Sequence, residues 1–127
     1  MLRLEKNSPH PHPGFSRAYR LTTKADYTAV FQEQLKVSQG GLLALYKTNQ
    51  RSYSRLGVIV SKSIVRKATA RNRLKRTFRE CFRLRKHEIE GFDLVILVRK
   101  GCPVDQTKLS KELNTLWQRL TACCHKP

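Results

Sequence analysis

Residues 61–86 read SKSIVRKATARNRLKRTFRECFRLRK, a stretch of 26 positions without Pro or Gly. It is rich in helix formers, and Ala70, Leu74, Phe78, Cys81 and Phe82 fall on one face of a 3.6-residue period, so a long amphipathic helix is predicted from about Ala68. Its other faces are the constraint. Eleven basic side chains (Lys62, Arg66, Lys67, Arg71, Arg73, Lys75, Arg76, Arg79, Arg83, Arg85, Lys86) stand against one acid, Glu80. Arg71, Lys75, Arg79, Arg83 and Lys86 form a ladder about one turn apart, with Arg73 and Arg76 on its flank. Solvated helices usually interleave acids with bases, because like charges at i, i+4 destabilise by about 0.2–0.5 kcal/mol per pair. A cationic ridge with so little acidic relief is most simply explained by phosphates. Asn72, between Arg71 and Arg73, adds an amide to two guanidinium groups that can hold phosphate bidentately.

The whole chain points the same way. Its 127 residues carry 26 Lys and Arg against 9 Asp and Glu, a formal net charge of +17, which calls for a polyanionic partner. Hydrophobic residues are 39% of the total, enough for a small core and too many for a disordered basic tail. The longest apolar runs, 42–46 and 94–98, are far too short to span a bilayer, so no membrane partner is expected. The first residues lack the apolar run of a signal peptide, and a cytoplasmic protein is expected. Cys81, Cys102, Cys123 and Cys124 lack CxxC spacing and read as free thiols.

Residues 1–16, broken by Pro9, Pro11 and Pro13, read as a flexible arm, and its His10 and His12 are a weak metal motif. Residues 17–122 read as one domain and 123–127 as a tail. Thr23, with Asp26 three positions on, caps a short helix that carries Tyr27, Val30 and Phe31 and ends near Leu35. After Gly40 and Gly41, 42–47 and 56–61 read as strands and as antiparallel neighbours. The run 94–98, apolar on both alternating faces, reads as a central strand covered on both sides. Pro103 and Asp105 open a last helix with the stripe Leu109, Leu113, Leu116, Trp117 and Leu120. The expected fold is α/β, a two-layer α+β sandwich in the order α-β-β(-β)-α-β-α.

The basic helix follows a strand and a loop rather than a short helix and turn, which disfavours a DNA-reading helix-turn-helix; RNA is expected and DNA is not. Tyr27, Phe31 and Tyr46 could stack unpaired bases, although periodicity alone favours core packing for them. No Ser/His/Asp set, glycine-rich phosphate loop or carboxylate cluster marks a protein-borne catalytic or metal site.

The run Lys67-Ala68-Thr69-Ala70-Arg71-Asn72-Arg73-Leu74-Lys75-Arg76 resembles the signature of the bacterial ribonuclease P protein subunit, with an Arg-Asn-Arg core followed by Lys-Arg. The likeness extends in family order from Arg20 to Leu120. It takes in Arg20-Leu21 before the capped helix, Gly57-Val58-Ile59-Val60-Ser61-Lys62, Arg79-Glu80 with Phe82-Arg83-Leu84, and 93–100. Three departures are Tyr27 where Phe is commoner, Ser63 where a second Lys is common, and the His/Pro arm.

The resemblance implies a left-handed βαβ crossover. It also implies a protein subunit that binds a catalytic RNA and the 5′ leader of precursor tRNA, assisting Mg²⁺-dependent cleavage that leaves the mature 5′ end and broadening the range of substrates to other structured RNAs. The RNA carries catalysis; the protein contributes no catalytic side chain and no metal site. Arg66, Lys67, Arg71, Asn72, Arg73, Lys75, Arg76 and Arg79 are expected to bind the ribozyme. Tyr27, Phe31, Tyr46, Val58, Val60 and Lys62 are expected on or near one face of a leader-binding cleft, and with Ser63 in place of Lys the duty falls more on Lys62, Arg66 and Lys67. The alternative is a structural, ribosome-associated basic RNA-binding protein; a protein-only nuclease would need a carboxylate metal site.

Overall fold

The computed structural model describes residues 17–103 and 105–125. The arm with His10 and His12 lies outside them. A single 3-10 turn, Arg17–Tyr19, is followed by α1 (Lys24–Glu33), β1 (Leu35–Gln39), β2 (Leu42–Thr48), β3 (Arg55–Ile59), α2 (Ala68–Arg85), a second 3-10 turn (Lys86–Glu88), β4 (Phe92–Val98) and α3 (Gln106–Cys124).

Local chemistry sets the boundaries. Thr23 Oγ1 accepts from the backbone N–H of Asp26 at 3.1 Å and starts α1. Gln34 ends it in the left-handed region at φ 62°, near the expected end, so the chain turns into β1. The β1–β2 turn is Gly40 and Gly41. A Cβ on Gly41 would lie 2.1 Å from the backbone N of Cys102, so only glycine lets the turn pack against the β4–α3 loop. Asp105 caps α3 through the N–H of Thr107 at 3.0 Å. The helix then runs on to Cys124, which puts Cys123 and Cys124 in its last turn rather than in a tail.

The sheet order is β1-β2-β4-β3. β1 and β2 pair antiparallel, as do β2 and β4, while β3 pairs parallel with β4. β2 and β3 are therefore not neighbours, contrary to the sequence reading. β4 lies between them because it is the strand that can be buried on both faces, and the β3–α2–β4 crossover places it there. On one face Leu42, Ala44, Tyr46, Leu56, Leu94, Ile96 and Val98 pack against Phe78 and Phe82 of α2 and against the whole predicted α3 stripe. On the other, α1 covers the centre, where Leu21, Val30, Leu45 and Val95 form a smaller cluster. All four cysteines are free, and burial beside Cys123 pushes the Cys124 thiol up to about 12. No helix among the described residues is long and apolar enough to cross a membrane.

Candidate nucleic-acid interface

The burial of Phe78 and Phe82 fixes the rotation of α2, and that rotation differs from the one the charge ladder suggests. Asn72, Arg73 and Arg76 are exposed, whereas Arg71, Lys75, Arg79, Arg83 and Lys86 are half-buried along the flank. The crest offered to a partner is therefore Asn72-Arg73 and Arg76. Two large aromatic rings direct the helix more strongly than charged groups, whose aliphatic stems can lie along apolar surface.

Arg71 has a job of its own. Its Nη1 donates to the carbonyl oxygens of Val65 at 3.0 Å and Arg66 at 2.8 Å. The preceding loop is further folded by backbone bonds from Ile64 and Val65 to the Ser61 carbonyl and by a 3.1 Å contact between the Ser61 and Ser63 hydroxyls. Arg71 thus holds the turn that presents exposed Lys62, Arg66 and Lys67 next to the helix crest. Adjacent guanidinium groups in one motif divide into one that shapes the backbone and one, Arg73, that faces outward.

The second surface lies on the α1 side of the sheet. Tyr27 is half-buried against Gly57; burial raises its phenol above the ordinary value, partly opposed by the positive charge of Arg79 and reinforced by Asp26. Phe31 is 38% exposed and Leu35 is also exposed. Leu43, Ile59 and Leu97 pack partly buried beside the α1 cluster. Register places Lys36 and Lys47 on this face, with Arg99 reaching across it to the Ser38 hydroxyl at 2.8 Å. The result is an open apolar strip with a basic rim.

Tyr46, Val58 and Val60 do not belong to that strip. Tyr46 is only 9% exposed, meets Phe92 edge-on at 6.2 Å and sits in the main core on the opposite face, as do Val58 and buried Val60. Strand parity is the reason. Gly57 faces Tyr27, so Val58 must face away from it; Leu45 faces α1, so Tyr46 must not. The expectation that these three share a face with Tyr27 and Phe31 is corrected. Leu43, Ile59 and Leu97 were missed, although alternation from Gly57 would have pointed to Ile59.

A charged cluster joins α1, β3 and β4. Arg55 Nε and Nη2 donate to the two carboxylate oxygens of Asp93, at 2.9 and 2.7 Å, and Nη2 also reaches Asp26 at 3.4 Å. Asn49 Nδ2 donates to Asp93 at 2.9 Å. The Arg55 guanidinium stands where a cation would have to sit to use both Asp26 and Asp93, so this pair does not fit a protein-held Mg²⁺. No three His, Cys, Asp or Glu side chains gather into a metal-binding group among the described residues.

Comparison with known proteins places the chain in a family. Residues 15–121 match the family model for Ribonuclease P. A ribonuclease P protein component from Chromohalobacter salexigens is 43% identical over 109 residues, 84% of this chain and 85% of that one. The structure resembles the ribonuclease P protein of Thermotoga maritima, with a TM-score of 0.70 and 36% identity over 79% of this chain and 96% of that one. It also resembles the one from Staphylococcus aureus, with a TM-score of 0.74 and 25% identity over 82% of this chain and 96% of that one.

Proposed function

The chain belongs to the ribonuclease P protein family, and from that membership we propose that it seats the catalytic RNA on α2 and the 5′ leader of precursor tRNA along the α1 cleft. The observation that carries this reading is the family's Arg-Asn-Arg run lying at the start of α2 with Asn72, Arg73 and Arg76 exposed and Arg71 bracing the loop beside them. Arg66, Lys67, Arg73, Lys75 and Arg76 neutralise backbone phosphates of the catalytic RNA, with Asn72 adding a neutral hydrogen bond and Arg79 extending the surface toward Tyr27.

On the other face, unstacked leader bases lie on Tyr27 and Phe31 and the apolar strip formed with Leu43, Ile59 and Leu97. Lys36, Lys47 and Lys62 attract the leader backbone. Tyr46, Val58 and Val60 act from behind, by fixing the strands that carry this surface. The protein acts by binding and screening, holding two polyanions close enough to react. Mg²⁺ belongs to the RNA-borne reaction, and the workplace is the cytoplasm.

The test is cleavage of a 5′-extended precursor tRNA at low Mg²⁺ by bacterial ribonuclease P RNA, with and without the protein and beside a protein-only control. Stimulation that requires both components is the expected result. Tight RNA binding without stimulation would replace this reading with that of a structural basic RNA-binding protein, and RNA-free cleavage would reveal a protein-only nuclease.

A further inference from the structure

Ile64 in the β3–α2 loop and Cys102 in the β4–α3 loop line one pocket of about 420 Å³, together with the first turns of α2 and α3. Where the pocket meets the core its lining is apolar. Leu109 is buried there, and half-buried Val65, Leu74 and Cys102 pack against the same main cluster. Ile64 is left 39% exposed.

Both loops are set by the chain itself. The first is held by the bonds from Ile64 and Val65 to the Ser61 carbonyl and by the Arg71 brace. The second is held by the Cys102 N–H on the Arg99 carbonyl at 3.2 Å and the Arg99 N–H on the Gly41 carbonyl at 2.8 Å. The opening therefore exists before any ligand arrives, and an exposed isoleucine on a braced loop gains stability only when an apolar group covers it.

Charge limits the choice of that group. Arg73, Arg99 and Lys100 are exposed around the pocket, and no acid is among the described residues that line it. Arg99 is engaged with the Ser38 hydroxyl, so Arg73 and Lys100 remain for an anionic chain. Arg73 also stands on the exposed crest of α2, which makes the pocket continuous with the surface assigned to the catalytic RNA. The pocket opens on the sheet face that carries α2 and α3, whereas α1 with Tyr27 covers the other, so the leader lies away from it. A polynucleotide held at Arg73 can turn one unpaired base inward, where apolar walls replace the stacking that the base has lost. Gln106 donates its Nε2 to Thr77 Oγ1 at 3.3 Å, which leaves its carbonyl oxygen to accept from an exocyclic amine on the base edge.

We propose that this pocket receives one unpaired nucleobase of the catalytic RNA, with Arg73 and Lys100 on the flanking phosphates. The inference deepens the reading given above and rests on it, because α2 must seat the RNA for a base to be delivered here.

The test uses the full chain carrying Ile64→Ser, titrated with bacterial ribonuclease P RNA over a series of KCl concentrations. Affinity should fall roughly threefold to tenfold while the slope of log K against log salt stays unchanged, because apolar contact is lost and no charge is removed. Lys100→Gln should instead lower the slope by about 1. Dimethyl sulfate and carbodiimide probing of the bound RNA gives a readout that a folding role would not move. One base should be protected by the unmodified protein and reactive again with Ile64→Ser, while the hydroxyl-radical footprint of the backbone stays in place. A second measurement needs no substitution: with RNA at about ten times its Kd, alkylation of Cys102 by iodoacetamide should slow by about tenfold, with Cys123 and Cys124 at the far end of α3 little changed. A loss of affinity accompanied by a lower slope would mean that phosphate contacts had moved, and would overturn the base pocket. Unchanged affinity, base reactivity and alkylation, beside a clear loss for Arg73→Gln, would also overturn it and leave the opening to an acidic partner of another class. Failure of the unmodified chain to bind the RNA would instead overturn the underlying reading.

Discussion

The ring of Tyr27 lies directly on Gly57: a methyl group at that glycine would stand 2.5 Å from Tyr27 Cε1 and 2.6 Å from its hydroxyl oxygen. A bare backbone in β3 is what lets α1 settle on the sheet. Gly57→Ala should therefore destabilise the fold by about 1–3 kcal/mol, as overpacking does. On a Tyr27→Ala background the same change should cost clearly less. Urea unfolding of the four proteins measures the coupling, and additive effects would mean that the ring is not what the methyl group meets.

Phe31 gives the opposite forecast. It is too exposed to contribute much to the core. Phe31→Ala should leave thermal unfolding nearly unchanged while weakening binding of leader-bearing precursor by about 1–3 kcal/mol, the range for loss of one base stack. Leaderless tRNA, measured beside it, should bind as before; equal losses for both would return Phe31 to a packing role.

Arg71 and Arg73 should separate by type of effect. Arg71→Ala removes two charge-assisted bonds to loop carbonyls and should lower stability by about 1.5–3 kcal/mol, each such bond having a comparable net worth but the loop being able to rehydrate. Arg73→Ala should leave the melting temperature in place and lower the salt slope of ribozyme RNA binding by about 1. Thermal melts paired with binding titrations distinguish the two residues, and a shared pattern would contradict the division of labour drawn from their hydrogen bonds.

Acid should weaken the α1 anchor. Burial alone would raise the Asp26 carboxyl, but hydrogen bonds from Thr23, the Arg55 charge and the Thr22 and Thr23 backbone together hold it below its ordinary value. A carboxylate with a depressed folded pKa stabilises the fold above its unfolded value, about 3.9, and that contribution is lost as pH falls through the lower folded value. Asp26→Asn should thus flatten the acid limb of a melting-temperature profile between about pH 5 and 2. An unchanged limb would show that other carboxylates carry the whole transition.

Much of this protein is local and could be read from its residues in order. The three main helices follow from periodicity and from the Thr23 and Asp105 caps, because the hydrogen bonds that define a helix close within four residues. The fully apolar run 94–98 announced a central strand. The basic motif on α2 and its nucleic-acid chemistry follow from charge density, which needs no fold to be counted.

Other features depended on partners distant in sequence. β4 enters between β2 and β3 after 32 residues of chain that separate Ile59 from Phe92, and no turn signal records that insertion. The same long-range pairing fixed parity, turning Tyr46, Val58 and Val60 into the core and leaving Ile59 and Leu97 beside Phe31's helix. Within the motif itself, the sequence supplied two equivalent arginines; only the folded loop carbonyls made Arg71 a brace and left Arg73 outward. Composition and short-range spacing determined which groups this chain offers to RNA, and tertiary packing decided where they point, because a side chain's direction is set by the neighbours that bury the residues on either side of it.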